Sequence, residues 1–436
     1  MKAPDKSDTR EVAERARRLL ASLDGVLDRT EALYMDLHQH PELSGHEERT
    51  SEKVAVRLEA AGYQVTRAVG GHGVVGVLEN GEGPTVALRG DMDALPVEEQ
   101  TGLPYASHVR THGADGVEVP VMHACGHDVH TACLVGSAEA LALHRELWRG
   151  RVIVLAQPAE ETISGAKAML ADGLWSRFPV PEVILGQHVG PGPSGWVVHR
   201  GGAMMAGSRG LRIRIFGKGG HGSQPHLAVD PVYIGACVVV RLQGIVSREL
   251  SPYDSAVVTV GSFHAGTKAN IIPLEAVLEI TVRAMSDEVM RHILASIERI
   301  VRAECEAAHT PRPPEIEVRA AAEVLVNTRP VVARLEEVHR ELFADDVQEL
   351  PFPVTGSEDF GALGQRGDGA RIPMGFWLLS STPRDAWEAA PGPELMGKLS
   401  HVPSPHQPNF APDRERTLHR GVEAMVSASL AFLGAP

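Results

Sequence analysis

Cysteine is scarce in this chain: Cys125, Cys133, Cys237 and Cys305 are the only four among 436 residues. Thiols so few and so widely spread form no disulfide framework, which leaves metal binding, catalysis or plain core as their uses. Long apolar runs are missing too. Stretches such as 236–240 fall far short of the roughly 20 residues that span a bilayer, so no membrane partner is expected. Residues 1–18 carry charges of both signs and lack the apolar centre of a signal peptide, which makes a cytoplasmic protein the expectation. Basic residues are in deficit, with 42 Lys and Arg against 56 Asp and Glu and a formal charge of −14. A phosphate backbone needs a basic surface, so no nucleic-acid partner is expected and the acidic excess reads as solubility.

What is present is the composition of a globular protein, 43% apolar and 22% charged. Single cores stop growing at about 250–300 residues, so a chain of 436 implies two domains. Strand-like stretches at 63–67, 74–78 and 85–88, a helix near 128–147 read as amphipathic, and the apolar run 151–157 predict an α/β domain with a mostly parallel sheet. Ligands collect at the carboxyl ends of such strands. After Gly201-Gly202 the order becomes strand 211–216, helix 231–250, strands 256–263 and 276–283, helix 289–308 and strand 315–319. That βαββαβ order is the ferredoxin-like split unit. It predicts an inserted domain at 207–320 between a first catalytic part, 1–206, and a second, 321–436.

Residues able to do chemistry are concentrated in a few places. In Met122-His123-Ala124-Cys125-Gly126-His127-Asp128-Val129-His130, a thiol and three imidazoles lie beside a helix start. Gly126 lets the backbone turn, and Asp128 is expected to cap the helix. Taken alone, Cys-x-His reads equally well as a ligand pair or as a buried thiol with histidines on a surface turn. The apolar strand 152–156 runs into Gln157-Pro158-Ala159-Glu160-Glu161. Adjacent carboxylates at a sheet edge can divide labour, one ligating a metal and the other taking a proton from water. An arbitrary Glu-Glu pair is more often a solvated loop. A short strand, 183–185, is expected to deliver His188 to the same edge, prolines hold His406 in Pro405-His406-Gln407-Pro408, and the strand before Asp91-Met92-Asp93 ends in two acids. Each feature is ambiguous by itself. Four of the five lie at strand exits or loop turns, a convergence that chance explains poorly.

Together these residues resemble the M20 metallopeptidase and amidohydrolase family, in its branch of hippurate hydrolases and auxin-conjugate (IAA-amino acid) hydrolases. The match covers the chain from about Leu33 onward, through residues 37–43, 91–96, 122–130, 158–161 and 217–221 with Pro225-His226 and Asp230-Pro231. The resemblance implies metal ligation by Cys125, His127, Glu161, His188 and His406, with Glu160 as general base, and a catalytic domain interrupted by a lid that dimerises. The wider family has His-x-Asp where this chain has Asp91-Met92-Asp93, so Asp93 is expected to orient a ligand. The final motif also departs from the branch, at Ala411-Pro412; His406 still aligns, with His401 as a nearby competitor.

One thiolate, three imidazoles and one carboxylate suit Zn, Mn, Co or Ni better than Ca or Mg. Five protein ligands exceed the need of a single tetrahedral ion, and two divalent transition metal ions sharing a water meet it. The resemblance implies hydrolysis of the amide bond of a small-molecule substrate, an N-acyl amino acid or related conjugate. His221, in the glycine-rich turn 217–222, Asn270 and the loop at Gly356 are expected to contact the substrate or its oxyanion. Without the resemblance that turn would read as a hairpin. It lacks the Gly-Lys-Ser/Thr ending of a P-loop. A dipeptidase or carboxypeptidase-like enzyme, a cysteine hydrolase using Cys125 and a non-catalytic metal binder are the alternatives. A homodimer or higher homo-oligomer through the lid is expected.

Overall fold

A computed structural model describes residues 6–113, 116–393 and 395–436. The chain forms two compact units, one of Met1–Gly202, Val326–Phe352 and Asp359–Pro436, the other of Ala203–Leu325 and Pro353–Glu358. Among the described residues no helix is long and apolar enough to cross a membrane.

The first unit is built on an eight-stranded sheet in the order Gln64–Val69, Gly73–Asn80, Gly150–Gln157, Thr85–Asp91, Val183–Pro193, Met374–Thr382, Val197–His199, Val347–Glu349. Its four middle strands are mutually parallel. Antiparallel pairings adjoin them at Gly73–Asn80 and at Val197–His199. Thr85–Asp91 is buried at every residue, and Gly150–Gln157 at every residue but Arg151. Covered on both faces, such strands have no polar side to show, which is why they read as unbroken apolar runs.

The helix His127–Leu143 corrects one expectation. It is not amphipathic, since every residue from His127 to Leu141 is buried. Alanine, glycine, serine and cysteine alternate with valine and leucine around it, so the helices Asp24–Gln39 and Arg414–Leu430 pack closely against it. It stops at Leu143, and a separate short turn, Arg145–Leu147, follows. Gly126 precedes it with φ +76°, and a Cβ there would lie 2.3 Å from Val189 Cγ2, so only glycine fits. Asp128 therefore sits within the first turn and not at the cap, and its side chain serves another purpose.

That purpose is a buried ion triad. His38, on Asp24–Gln39, donates from Nδ1 to Asp128 Oδ2 (2.6 Å) and from Nε2 to Glu99 Oε1 (3.0 Å). Burial opposes charge on the imidazole, but the bonds to Asp128 and Glu99 outweigh it and raise its pKa from 6.5 to about 10.

The second unit carries an antiparallel four-stranded sheet in the order Ala256–Ala265, Glu275–Ala284, Gly207–Phe216, Glu315–Ala322. The helices Pro231–Gly244 and Asp287–Ala307 pack on it over a shared aliphatic core that includes Ile213, Val238, Ile280 and Ile297. Pro353–Glu358, expected with the second catalytic part, belongs to this unit instead. The Ala206 N–H donates to Val354 O and Gly356 O, and Arg283 Nη1 donates to Thr355 O and Ser357 Oγ, which fastens the segment there.

A folded-state pKa raised to about 10 means that the His38 charge contributes fully to stability below about 6.5 and is lost as pH rises through about 10. His38→Ala would strand two buried carboxylates at a cost of about 3–5 kcal/mol. A urea unfolding midpoint well below wild type at pH 7 is expected; an unchanged midpoint would mean that Asp128 and Glu99 are satisfied without His38.

Candidate metal centre

Four chain segments meet at the carboxyl end of the parallel strands. Glu160 and Glu161 follow Gly150–Gln157, Asp91 and Asp93 end Thr85–Asp91 and the turn after it, and Cys125 and His127 open the buried helix. His188 lies inside Val183–Pro193 and not beyond a strand ending at 185. It still reaches the site because the pairing of this strand with Thr85–Asp91 ends at Gly186 opposite Arg89.

The distances define a tight cluster. His127 Nε2 is 3.8 Å from Glu161 Oε1, 3.9 Å from Glu160 Oε2 and 3.7 Å from Asp91 Oδ2. Glu161 Oε1 is 3.4 Å from His406 Nε2, and Cys125 Sγ is 3.5 Å from His188 Nε2. Three triads, Cys125–His127–His188, Cys125–Glu161–His406 and His127–Glu160–Glu161, each have their donor atoms within 4.8 Å of one another. The five expected ligands and Glu160 thus come together, with Cys125, His127 and Glu161 each shared between two triads.

The donor set fits a cation. His127 Nε2 and Glu161 Oε1 are buried without a hydrogen-bond partner. Such orphaned atoms are costly to bury, and here they face each other across a gap lined by a thiol and imidazoles. Burial opposes charge on His127, yet Asp91, Asp93 and Glu161 hold its pKa up to about 10. A field that keeps a proton on a buried imidazole also stabilises a metal ion in the proton's place. Burial, then Glu161, Glu160 and Asp91, pushes the Cys125 thiol up. Reactive cysteine nucleophiles sit in electropositive surroundings, and this thiol does not.

His130 also lies near Asp91 and His127, but both of its nitrogens are engaged. Nε2 accepts the Val189 N–H (2.8 Å) and Nδ1 donates to Asp91 Oδ1 (2.5 Å). His188 Nδ1 donates to Val189 O (2.6 Å), which turns the Nε2 lone pair toward Cys125. Asp93 is the busiest group. Its Oδ1 accepts from His127 Nδ1 (3.2 Å) and the Glu160 N–H (3.1 Å), and its Oδ2 from Ser44 Oγ (2.6 Å) and the Glu161 N–H (3.0 Å). Burial would raise its pKa, but the bonds from His127 and Ser44 bring it below the ordinary value.

The centre is closed on one side and open on the other: His127 is fully buried, whereas the His406 side chain is 57% exposed. His406 has φ +72°, and its N–H donates to Ala124 O (2.7 Å), which ties the loop to the Cys125 turn. His401 is exposed and joins no donor triad among the described residues. His221, Asn270 and Gly356 belong to the second unit. There His221 and Asn270 are exposed and line one cavity of about 710 Å³, while Gly356 lies in the fastened segment. Glu47, Ser44 and His130 are absent from the site residues expected from sequence. Glu47 Oε1 accepts the Ala159 N–H (2.8 Å) from 112 residues away, a separation that leaves no local signal.

Buried sulfur, nitrogen and carboxylate donors at the carboxyl edge of an α/β sheet define the class of metal-dependent hydrolases. Residues 87–391 match peptidase family M20/M25/M40, and the chain belongs to that family. It is 39% identical over 338 residues to a hippurate hydrolase of Campylobacter jejuni, covering 76% of this chain and 84% of the relative. It is 34% identical over 349 residues to IAA-amino acid hydrolase ILR1-like 2 of Arabidopsis thaliana, covering 79% and 74%. The YxeP protein of Bacillus subtilis, described as a dinuclear metal binding peptidase, matches in structure with a TM-score of 0.72 at 27% identity, over 94% of this chain and 99% of that one. The protein is a metallo-amidohydrolase or peptidase of the M20 type.

Removing the carboxylate that joins His127 to the Glu160-Glu161 turn should loosen metal binding. Asp93→Ala is expected to lower affinity for the metal about 10- to 100-fold, read by competition with a chromophoric chelator. Equal affinity in the variant would show that Asp93 orients nothing that binds metal.

Proposed function

We propose that the chain hydrolyses the amide bond of N-acyl amino acids or related conjugates, with Glu160 as general base for the attacking water. One observation carries this. Glu160, a carboxylate only 5% exposed, stands 3.9 Å from His127 Nε2, beside Glu161 whose Oε1 has no hydrogen-bond partner. A base next to an orphaned ligand pair is the arrangement for drawing a proton from a water held between them.

Cys125, His127, Glu161, His188 and His406 would hold two divalent transition metal ions of the Zn, Mn, Co or Ni type. When bound, such ions supply Lewis acidity toward the carbonyl and make water easier to deprotonate. The side chains do the rest. Asp93 accepts from His127 Nδ1, which aims the Nε2 lone pair into the centre. Glu160 takes the proton from the water and returns it to the leaving nitrogen. On the second unit, His221 is proposed as a donor to the oxyanion, Asn270 to take the substrate carboxylate and the Gly356 loop to contribute backbone contacts. Both relatives are named for substrates that are N-acyl amino acids, which supports the substrate class. Hydrolysis of a panel of N-acyl amino acids by enzyme reloaded with each metal in turn tests it, and activity on free dipeptides alone would defeat it.

Glu160→Gln keeps the shape and removes the base. We expect kcat to fall about 100- to 10,000-fold with metal content unchanged. Dialysis against EDTA should abolish activity and added metal restore it; an enzyme that survives chelation would be using Cys125 as nucleophile.

The second unit also offers a surface for a second copy of the chain. Ala256–Ala265 is an edge strand, with Phe263 partly exposed where it packs on the neighbouring helix, and Tyr233 and Val240 are exposed on that helix. Edge strands beside apolar patches recruit another chain, and a homodimer is the simplest closed result. Tyr233→Glu with Val240→Glu should shift the sedimentation mass from dimer to monomer at an unchanged melting temperature. A mass that stays at the dimer value would place the interface elsewhere.

A further inference from the structure

We infer that Glu47 is a positioning residue for the general base, acting through the backbone of Ala159; the inference rests on the reading of Glu160 as that base. Three successive amides lead into the catalytic turn, and each donates to a buried carboxylate. The Ala159 N–H donates to Glu47 Oε1 (2.8 Å), the Glu160 N–H to Asp93 Oδ1 (3.1 Å) and the Glu161 N–H to Asp93 Oδ2 (3.0 Å). Consecutive amides turned to one side form an anion-binding nest, and here the chain fills the nest with its own carboxylates.

The conformation that produces this run is one that alanine avoids. Ala159 has φ +51°, in the left-handed region where the Cβ crowds the backbone. Its carbonyl is held as well, accepting from the Ser164 and Gly165 N–H groups. Gly165 packs so close to Pro158 O that a Cβ there would come within 1.6 Å of it. Glu47 holds the other end. It is fully buried, and its Oε1 also accepts the Gly45 N–H (2.8 Å), so the acceptor is fixed before it meets Ala159. Asp93 sets the two amides that follow, but the left-handed residue that starts the turn answers to Glu47. Without that anchor Ala159 relaxes toward an ordinary backbone, and the Glu160 carboxylate swings with it.

Such a role predicts which substitutions matter. Glu47→Asp draws the carboxylate back by one methylene, and Glu47→Ala removes it; each should lower kcat at least tenfold with KM within twofold and metal content unchanged. Glu47→Gln keeps the Oε1 acceptor and should retain at least a third of wild-type kcat. Ala159→Gly accepts a positive φ without cost, so in the Glu47→Asp background it should recover at least threefold of the lost kcat. Full activity in Glu47→Asp, loss of metal in step with loss of rate, or no recovery on adding Ala159→Gly would each overturn the inference. The Glu160→Gln control separates the two readings. A dead Glu160→Gln beside an unaffected Glu47→Asp removes only the positioning role, whereas an active Glu160→Gln removes the general base and the inference with it.

Discussion

The Asp93 carboxylate accepts from His127 Nδ1, from Ser44 Oγ and from the amides of Glu160 and Glu161, and through those bonds it couples the buried helix to the turn after the neighbouring strand. Few other groups could do this. A neutral amide at this position would offer one acceptor oxygen for four donors, and a longer acid would have to push aside the neighbours of a side chain that is only 1% exposed. Because the same two oxygens orient an imidazole and two peptide planes, displacement of one would displace the others. The buried helix supports this arrangement from behind: His127 and Asp128 are consecutive, and while His127 faces Asp93, Asp128 is fixed by His38. The ion triad is thus the rear anchor of the same turn of helix.

Much of this was legible from sequence where the physical cause is local. Strands buried on both faces must be apolar throughout, so 85–88 and 151–157 were visible, and the βαββαβ order followed from alternation and helical periodicity. The residues proposed at the metal centre were visible as separate chemistry-bearing features, each ambiguous alone, and the family resemblance is what joined them into one ligand set with a base. Failures occurred where the cause is distant. The stretch 128–147 reads as amphipathic because serine, threonine, glycine and charged residues interrupt its apolar positions, yet within His127–Leu143 the small side chains are what let other helices approach closely. Gly186 and Gln187 interrupt the apolar run, so the sequence ends a strand at 185, whereas the strand continues through them to Pro193. Glu47 and His38 act across 112 and 90 residues of chain, and nothing beside them in sequence announces the partner.

The electrostatics of the centre give the strongest reason to regard it as a cation site and not a cluster of structural polar groups. Asp91, Asp93, Glu160 and Glu161 surround His127 and Cys125, and Arg89 donates to Asp91 Oδ2 (2.7 Å). The negative field of the carboxylates acts on both groups in the same sense. It keeps a proton on His127 and, with burial, keeps a proton on Cys125. Neither protonated group can ligate. A divalent ion held by these residues would reverse both effects, because its charge would offset the carboxylates that retain the imidazole proton and would stabilise the thiolate that burial disfavours. Metal binding and deprotonation of His127 and Cys125 would then be a single coupled event. The same coupling explains why Cys125 is poorly suited to attack a substrate on its own: the carboxylates that make the centre attractive to a cation are what keep its sulfur protonated without one.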